Sequence, residues 1–178
     1  MLYRKTKLII GLIVLLTVAG AALASIPAAR AEKDNHSSDV GRSKLSALTE
    51  QELAQARSAT AKYHDVAQAE ADGYRNFNLY VPGEGFHYLK FSLLDGNFDP
   101  AEPEMLLYSP VPGENRLELA GVEYLIPIAA SPSPPAGFTG DADMWRDNME
   151  GFGLWELNVW SWLSNPNGIF ADRNPRVP

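Results

Sequence analysis

From the mid-seventies onward the apolar residues of this chain recur at every second position. The segments are near Asn76–Val81, Phe86–Leu94, Glu104–Ser109, Arg116–Ile128 and Gly153–Leu163. Most of them are separated by stretches such as Pro82-Gly83-Glu84-Gly85, Asp95-Gly96-Asn97 and Pro110-Val111-Pro112-Gly113-Glu114-Asn115, whose residue types make tight turns. Loops this short join antiparallel neighbours, because a parallel pair needs a long crossover. Ahead of them, residues 50–72 have helical spacing, with Leu53, Ala56, Ala59, Thr60, Tyr63, Val66, Ala67 and Ala71 on one arc. Thr49 followed by Glu52 reads as a capping box, and Gly73 as a left-handed stop. The expected fold is therefore α+β, one long amphipathic helix packed on an antiparallel sheet of four to five strands.

The N-terminus constrains where such a domain would work. Arg4, Lys5 and Lys7 precede an apolar run from Leu8 to Ala24, followed by Ala29-Arg30-Ala31. This order of basic, apolar and small-residue segments is that of a secretory signal peptide, residues 1–31. The expected location is secreted or periplasmic at the cell envelope. The alternative is an uncleaved N-terminal membrane anchor, and the only expected membrane contact is through this segment. Residues 32–46, polar and aperiodic and including His36, read as a flexible linker, and 47–178 as a single domain.

Cleavage after Ala31 would remove four of the 15 basic residues and none of the 22 acidic ones, leaving a charge near −11. Nucleic acid is excluded as a partner for such a surface. The chain has no cysteine, so it has no disulfide, no thiolate nucleophile and no thiolate metal site.

Strand alternation places His87 with Leu89, Phe91 and Leu93, and Glu123 with Leu117, Leu119 and Leu125. A carboxylate or imidazole among such neighbours must be paired, hydrogen-bonded, metal-bound or neutral. His87 and Glu123 are thus expected to meet in a pocket between helix and sheet, with His64 at its rim. The three make a candidate ligand set for zinc or copper, and Tyr88, Asn158 and Trp160 are further candidates for ligand contacts. The partner would be a small molecule or a metal ion. Two alternatives stand beside this reading: a hydrolase using His87 and Glu123 as an acid–base pair, and a non-catalytic envelope interaction domain using the loop 129–152 or the tryptophans. Trp155 reads as core, whereas Trp160 and Trp162 read as either a second core layer or a pocket wall. Asp95, Asn97 and Asp99 begin like a calcium loop but lack its glycine and its final glutamate, so they read as turn residues. Asp141, Asp143 and Asp147 are a weaker calcium candidate.

The runs ATAKYHDVAQAEADGY (59–74), GFHYLKFSLLDGNFDPAEPEMLLYSP (85–110), GVEYLIP (121–127) and LNVWSWLSNPNGIFADRNPRV (157–177) resemble a family of uncharacterised exported bacterial proteins. The resemblance implies export and a single domain and carries no established activity. Members carry a histidine at the position of Asn158, so a family metal site using that imidazole would lack a ligand here. Asparagine retains hydrogen-bonding capacity.

Overall fold

The computed structural model describes residues 45–147 and 151–178, all within the compact unit Gly41–Pro178. The signal-peptide segment 1–31, His36 and most of the linker lie outside the described residues. Helix α1 (Ala47–Thr60) opens at Ser46, whose hydroxyl accepts a hydrogen bond from the Thr49 N–H at 3.0 Å. The cap is therefore one turn earlier than the sequence suggested. Thr49 is buried, its hydroxyl donates to the Thr139 carbonyl, and Glu52 receives the Thr139 N–H.

The helix is also not continuous. A 3₁₀ turn (Ala61–His64) follows α1, and Asp65 then turns extended and caps α2 (Val66–Ala71) by accepting from the Ala67 N–H. The break re-phases the apolar arc. Leu53, Ala56, Thr60 and Tyr63 are buried as expected, but beyond Asp65 the buried residue is Ala69 rather than Ala67 or Ala71. Gly73 ends α2 with a positive φ of 102°, as expected of a C-terminal glycine.

Six strands follow: β1 (Arg75–Val81), β2 (Gly85–Leu89), β3 (Met105–Pro110), β4 (Leu117–Pro127), β5 (Arg146–Asp147) and β6 (Leu154–Val159). They form one sheet in the order β1-β2-β3-β4-β6-β5, and every neighbouring pair is antiparallel. The α+β class and the antiparallel sheet are as expected; the strand number is six rather than four to five. The additional strand is β5, two residues within the long loop, too short for alternation to reveal. The second strand stops at Leu89, because Phe91–Leu93 winds into a 3₁₀ turn. The last strand stops at Val159, where the Trp160 N–H donates to Ile169 outside the sheet.

The two sheet faces differ. On one, Leu53, Tyr63 and Ala69 of the helices pack with Tyr88, Leu106, Tyr108, Val122, Tyr124, Leu157 and Val159. On the other, Leu107, Ala120, Trp160 and Val177 form a smaller apolar cluster, and the C-terminal residues close over it. Two irregularities decide which side chains reach this second face. In β4, Leu107 opposes Gly121 while Tyr108 opposes Leu119, so Ala120 is an extra residue that reverses the alternation. Leu119 therefore joins the helix-side core instead of sharing a face with Glu123, as strict alternation had implied. In β1, Asn76 opposes Tyr88 and Tyr80 opposes Phe86, so Phe77, Asn78 and Leu79 all lie across from His87 alone. Asn78 takes φ 54° there, its N–H held by its neighbour Asn76 Oδ1 at 2.7 Å.

The β1–β2 turn is pinned by the chain end. Asn174 N–H donates to the Gly83 carbonyl at 2.8 Å, and Gly83 N–H to Pro178 at 3.3 Å. Gly85 then enters β2 at φ 92°, and a Cβ there would lie 2.3 Å from the Tyr108 carbonyl oxygen. Gly85→Ala is expected to cost about 3 kcal/mol from the strained φ and the backbone clash together, measured as a lowered denaturation midpoint in urea.

Candidate functional site: a charged cleft on the face away from the helices

Cross-strand pairing determines what meets on the second face. Met105 and Glu123 are register partners, as are Glu123 and Asn158, and Leu125 and Glu156. Directly opposed residues project to the same side of a sheet, so Met105, Glu123, Asn158, Leu125 and Glu156 share this face. His87, opposite Leu107, joins them from β2. Together with Glu84 from the pinned turn and Arg173 from the C-terminal tail, His87, Met105, Glu123, Leu125 and Glu156 line a cleft of about 80 Å³. Its walls are apolar, including Leu79, Val81, Met105, Leu125 and Leu154, and the exposed Phe152 stands at its edge. On the scale where one water needs about 15 Å³, this holds a few waters or a small organic group.

His87 is 4% exposed. Its Nε2 lies 3.3 Å from a Glu84 oxygen and 3.9 Å from a Glu123 oxygen. Its Nδ1 is buried near the Leu79 carbonyl but outside hydrogen-bond geometry. Burial opposes charging of the ring, but the Glu84 hydrogen bond and the fields of Glu123 and Glu84 outweigh it, so its pKa is raised above 6.5. Glu123 is also 4% exposed. Burial pushes its carboxyl up to about 7 against the opposing pull of His87, and Glu156 and Glu84 add to the rise.

The ion pairs continue beyond this centre. Arg173 Nε lies 3.6 Å from Glu84 and 3.9 Å from Asp172, Asp172 pairs with Arg146, and Arg146 lies 3.9 Å from Glu156. The groups form one alternating series: Glu123, His87, Glu84, Arg173, Asp172, Arg146, Glu156. Both ends of the series are carboxylates lining the cleft.

The residues singled out from sequence separate into two groups. His87 and Glu123 lie together, and Asn158 is beside Glu123 with its Nδ2 donating to the Asp172 carbonyl at 2.7 Å. No helix residue lines this cleft, so the expected pocket between helix and sheet is corrected to the opposite face. His64 is on the helix side, exposed, with its ring centroid 4.3 Å from that of Trp162. The sheet separates it from His87, and the expected His64–His87–Glu123 metal set is not assembled. Among the described residues no group of three His, Cys, Asp or Glu side chains is disposed to hold a metal ion.

Tyr88 is helix-side core, its ring 4.8 Å from that of Tyr108. Trp160 is 3% exposed and donates its Nε1–H to the Ala171 carbonyl at 2.6 Å. It supports the C-terminal segment from beneath instead of forming the cleft wall. Trp155 and Trp162 are half-buried, donating to the Ser131 carbonyl and to Thr60 Oγ1. Asp95 and Asp99 close turns by accepting from Asn97 N–H and Ala101 N–H. Asp143 accepts from the Phe138 N–H at 2.9 Å.

Sequence reasoning missed Glu84, Arg146, Glu156 and Arg173. Glu84 was hidden inside a turn motif, and Arg173 in a tail without periodicity. Glu156 carried the only available signal, a charged residue alternating with apolar neighbours in the same strand pattern as Glu123.

Comparison with family models, with curated proteins and with solved structures yields no match for this chain.

The buried acids have a common consequence. Glu123 and Glu104, the latter pushed by burial up to about 8 with its Oε2 accepting from the Leu125 N–H, are held neutral more strongly folded than unfolded. Each contributes stability that is complete below its ordinary value near 4.5 and is lost as pH rises to its folded value. His87, raised from 6.5, loses its contribution as pH rises through its folded value, so all three act in the same direction. The thermal midpoint is expected to fall between pH 5 and pH 8. Glu123→Gln should remove part of that fall, with a gain on the order of 2 kcal/mol over wild type at pH 8. A midpoint unchanged by pH in wild type would contradict this.

Proposed function

We propose that this chain is an exported α+β domain that binds a small organic molecule in the His87–Glu123 cleft. One observation carries the reading. Two carboxylates and an imidazole are held buried at the base of an apolar-walled opening, an arrangement that costs stability and adds nothing to core packing. Concave sites with apolar walls and a few convergent polar groups are where small ligands bind. The bulge in β1 supports it further, since it turns Leu79 into the cleft wall opposite His87. Export rests on the order of basic, apolar and small residues in 1–31. The four sequence runs above support grouping the chain with the exported bacterial family they resemble.

A second reading, acid–base catalysis by His87 and Glu123, is favoured by the Glu123 carboxyl near 7, where a group can both give and take a proton at neutral pH. Ester hydrolysis following that titration and lost in Glu123→Gln would support it.

The binding reading is tested by amide NMR with a mixture of short neutral, anionic and cationic organic probes. Saturable shifts are expected at Val81, Leu125 and Leu154. They should weaken at least tenfold in Leu79→Trp, which fills the opening from a partly exposed position without touching the core. A mixture that leaves these amides unmoved overturns the proposal.

A further inference from the structure

The alternating ion-pair series contains four carboxylates, Glu84, Glu123, Glu156 and Asp172, against three cations, His87, Arg146 and Arg173. With His87 protonated the series still carries one negative charge more than it has positive ones. The cations are engaged: Arg173 contacts Glu84 and Asp172, and Arg146 contacts Asp172 and Glu156. Both ends of the series open into the same cleft. Glu123 and Glu156 are diagonal neighbours on β4 and β6, since Glu123 opposes Asn158 and Leu125 opposes Glu156. Such diagonal positions are about 7 Å apart, a gap that a cationic group bridges.

The cationic requirement rests on Glu123. It is nine-tenths buried and lines the cleft, and among the described residues no donor hydrogen-bonds its carboxylate, His87 being 3.9 Å away. A buried carboxylate in this position is stabilised by a ligand that brings both a positive charge and hydrogen-bond donors. The walls add the second requirement. Leu79, Val81 and Leu154, with Phe152 at the edge, favour an apolar body of a few carbons behind that charge.

Resting on the small-ligand reading of this cleft, we propose that its ligand is a short primary alkylamine in its ammonium form, the nitrogen seated between Glu123 and Glu156 and the alkyl chain against the apolar walls. An ammonium offers three donors and a compact charge, which suits two carboxylates on neighbouring strands better than a planar cation. Anionic ligands meet the Glu123 carboxylate, and neutral alcohols leave its charge uncompensated.

The groups that govern the pH dependence are Glu84 and His87 from β2 and its turn, Glu156 from β6, Arg146 from β5 and Arg173 from the tail. Glu123 titrates near 7, and the ammonium needs it ionised. Binding therefore weakens as Glu123 takes up its proton, by about tenfold between pH 8 and pH 6. Loss of the His87 proton at higher pH acts in the same direction.

The experiment is isothermal titration of the purified protein with n-butylammonium, butanol and butyrate at pH 6 and 8, alongside Glu123→Gln and an Nα-acetyl-lysine amide arm. Expected are one-to-one binding of butylammonium at least tenfold tighter than butanol, no binding of butyrate, the stated pH dependence, and a tenfold or greater loss in Glu123→Gln, whose thermal midpoint at pH 8 is no lower than that of wild type. Tighter binding of the lysine derivative would keep the ammonium and assign its source to a peptide side chain rather than a free amine. Butyrate or butanol binding as well as butylammonium, or wild-type affinity that ignores pH, overturns the cationic assignment while leaving a small-molecule cleft. No binding by any probe, together with unmoved cleft amides, overturns both.

Discussion

The pairing of β4 with β3 on one side and β6 on the other is the constraint on which the rest of this structure depends. It sets Glu123 between Met105 and Asn158 and places Glu156 one step along the same face. The helices need the opposite face for Leu53, Tyr63 and Ala69. A strand alternates strictly, so serving the helix core with Val122 and Tyr124 forces Glu123 to the other side. The charged cleft is thus a consequence of the register that builds the main core, and the extra residue Ala120 is where that register is adjusted.

Placing a seven-membered series of charges on that face, with Glu84, His87 and Glu123 buried, has a cost that the fold meets in two ways. Neighbouring charges of opposite sign are spaced at contact or near-contact distance, which offsets part of their desolvation. As pH falls, protonation of Glu123, which burial holds near 7, absorbs the remaining imbalance. The chain end supports the arrangement mechanically. The tail that carries Asp172 and Arg173 is tied to the β1–β2 turn that carries Glu84 through Asn174, Gly83 and Pro178, so the two halves of the ion-pair series are held by main-chain bonds and do not rely on salt bridges alone.

Particular residues mark how far the sequence could be read. His87 and Glu123 were visible because each interrupts an apolar alternation, and a charged residue inside such a pattern has few inexpensive environments. The α+β class was visible for the same reason, since periods of 3.6 and 2 differ over any window of a dozen residues. The break at Asp65 was not, because a capping aspartate inside a helical pattern also fits an exposed helix position. His64 was misplaced as a result of treating the sheet as having one buried side. Tyr88 was misjudged, and Trp160 was left between a second core layer, where it lies, and a pocket wall, because large amphipathic rings suit a core and a ligand wall equally well in sequence.

The sequence by itself determined the α+β class, the antiparallel sheet, the absence of thiol chemistry and the presence of buried ionisable groups at 87 and 123, because periodicity and residue chemistry are local properties. Only the tertiary structure decided which sheet face each group occupies, that Glu84, Arg146, Glu156 and Arg173 join them, and that the helices do not cover them. Those outcomes depend on register, on single-residue bulges and on contacts between segments up to about a hundred residues apart, which no short window of sequence encodes.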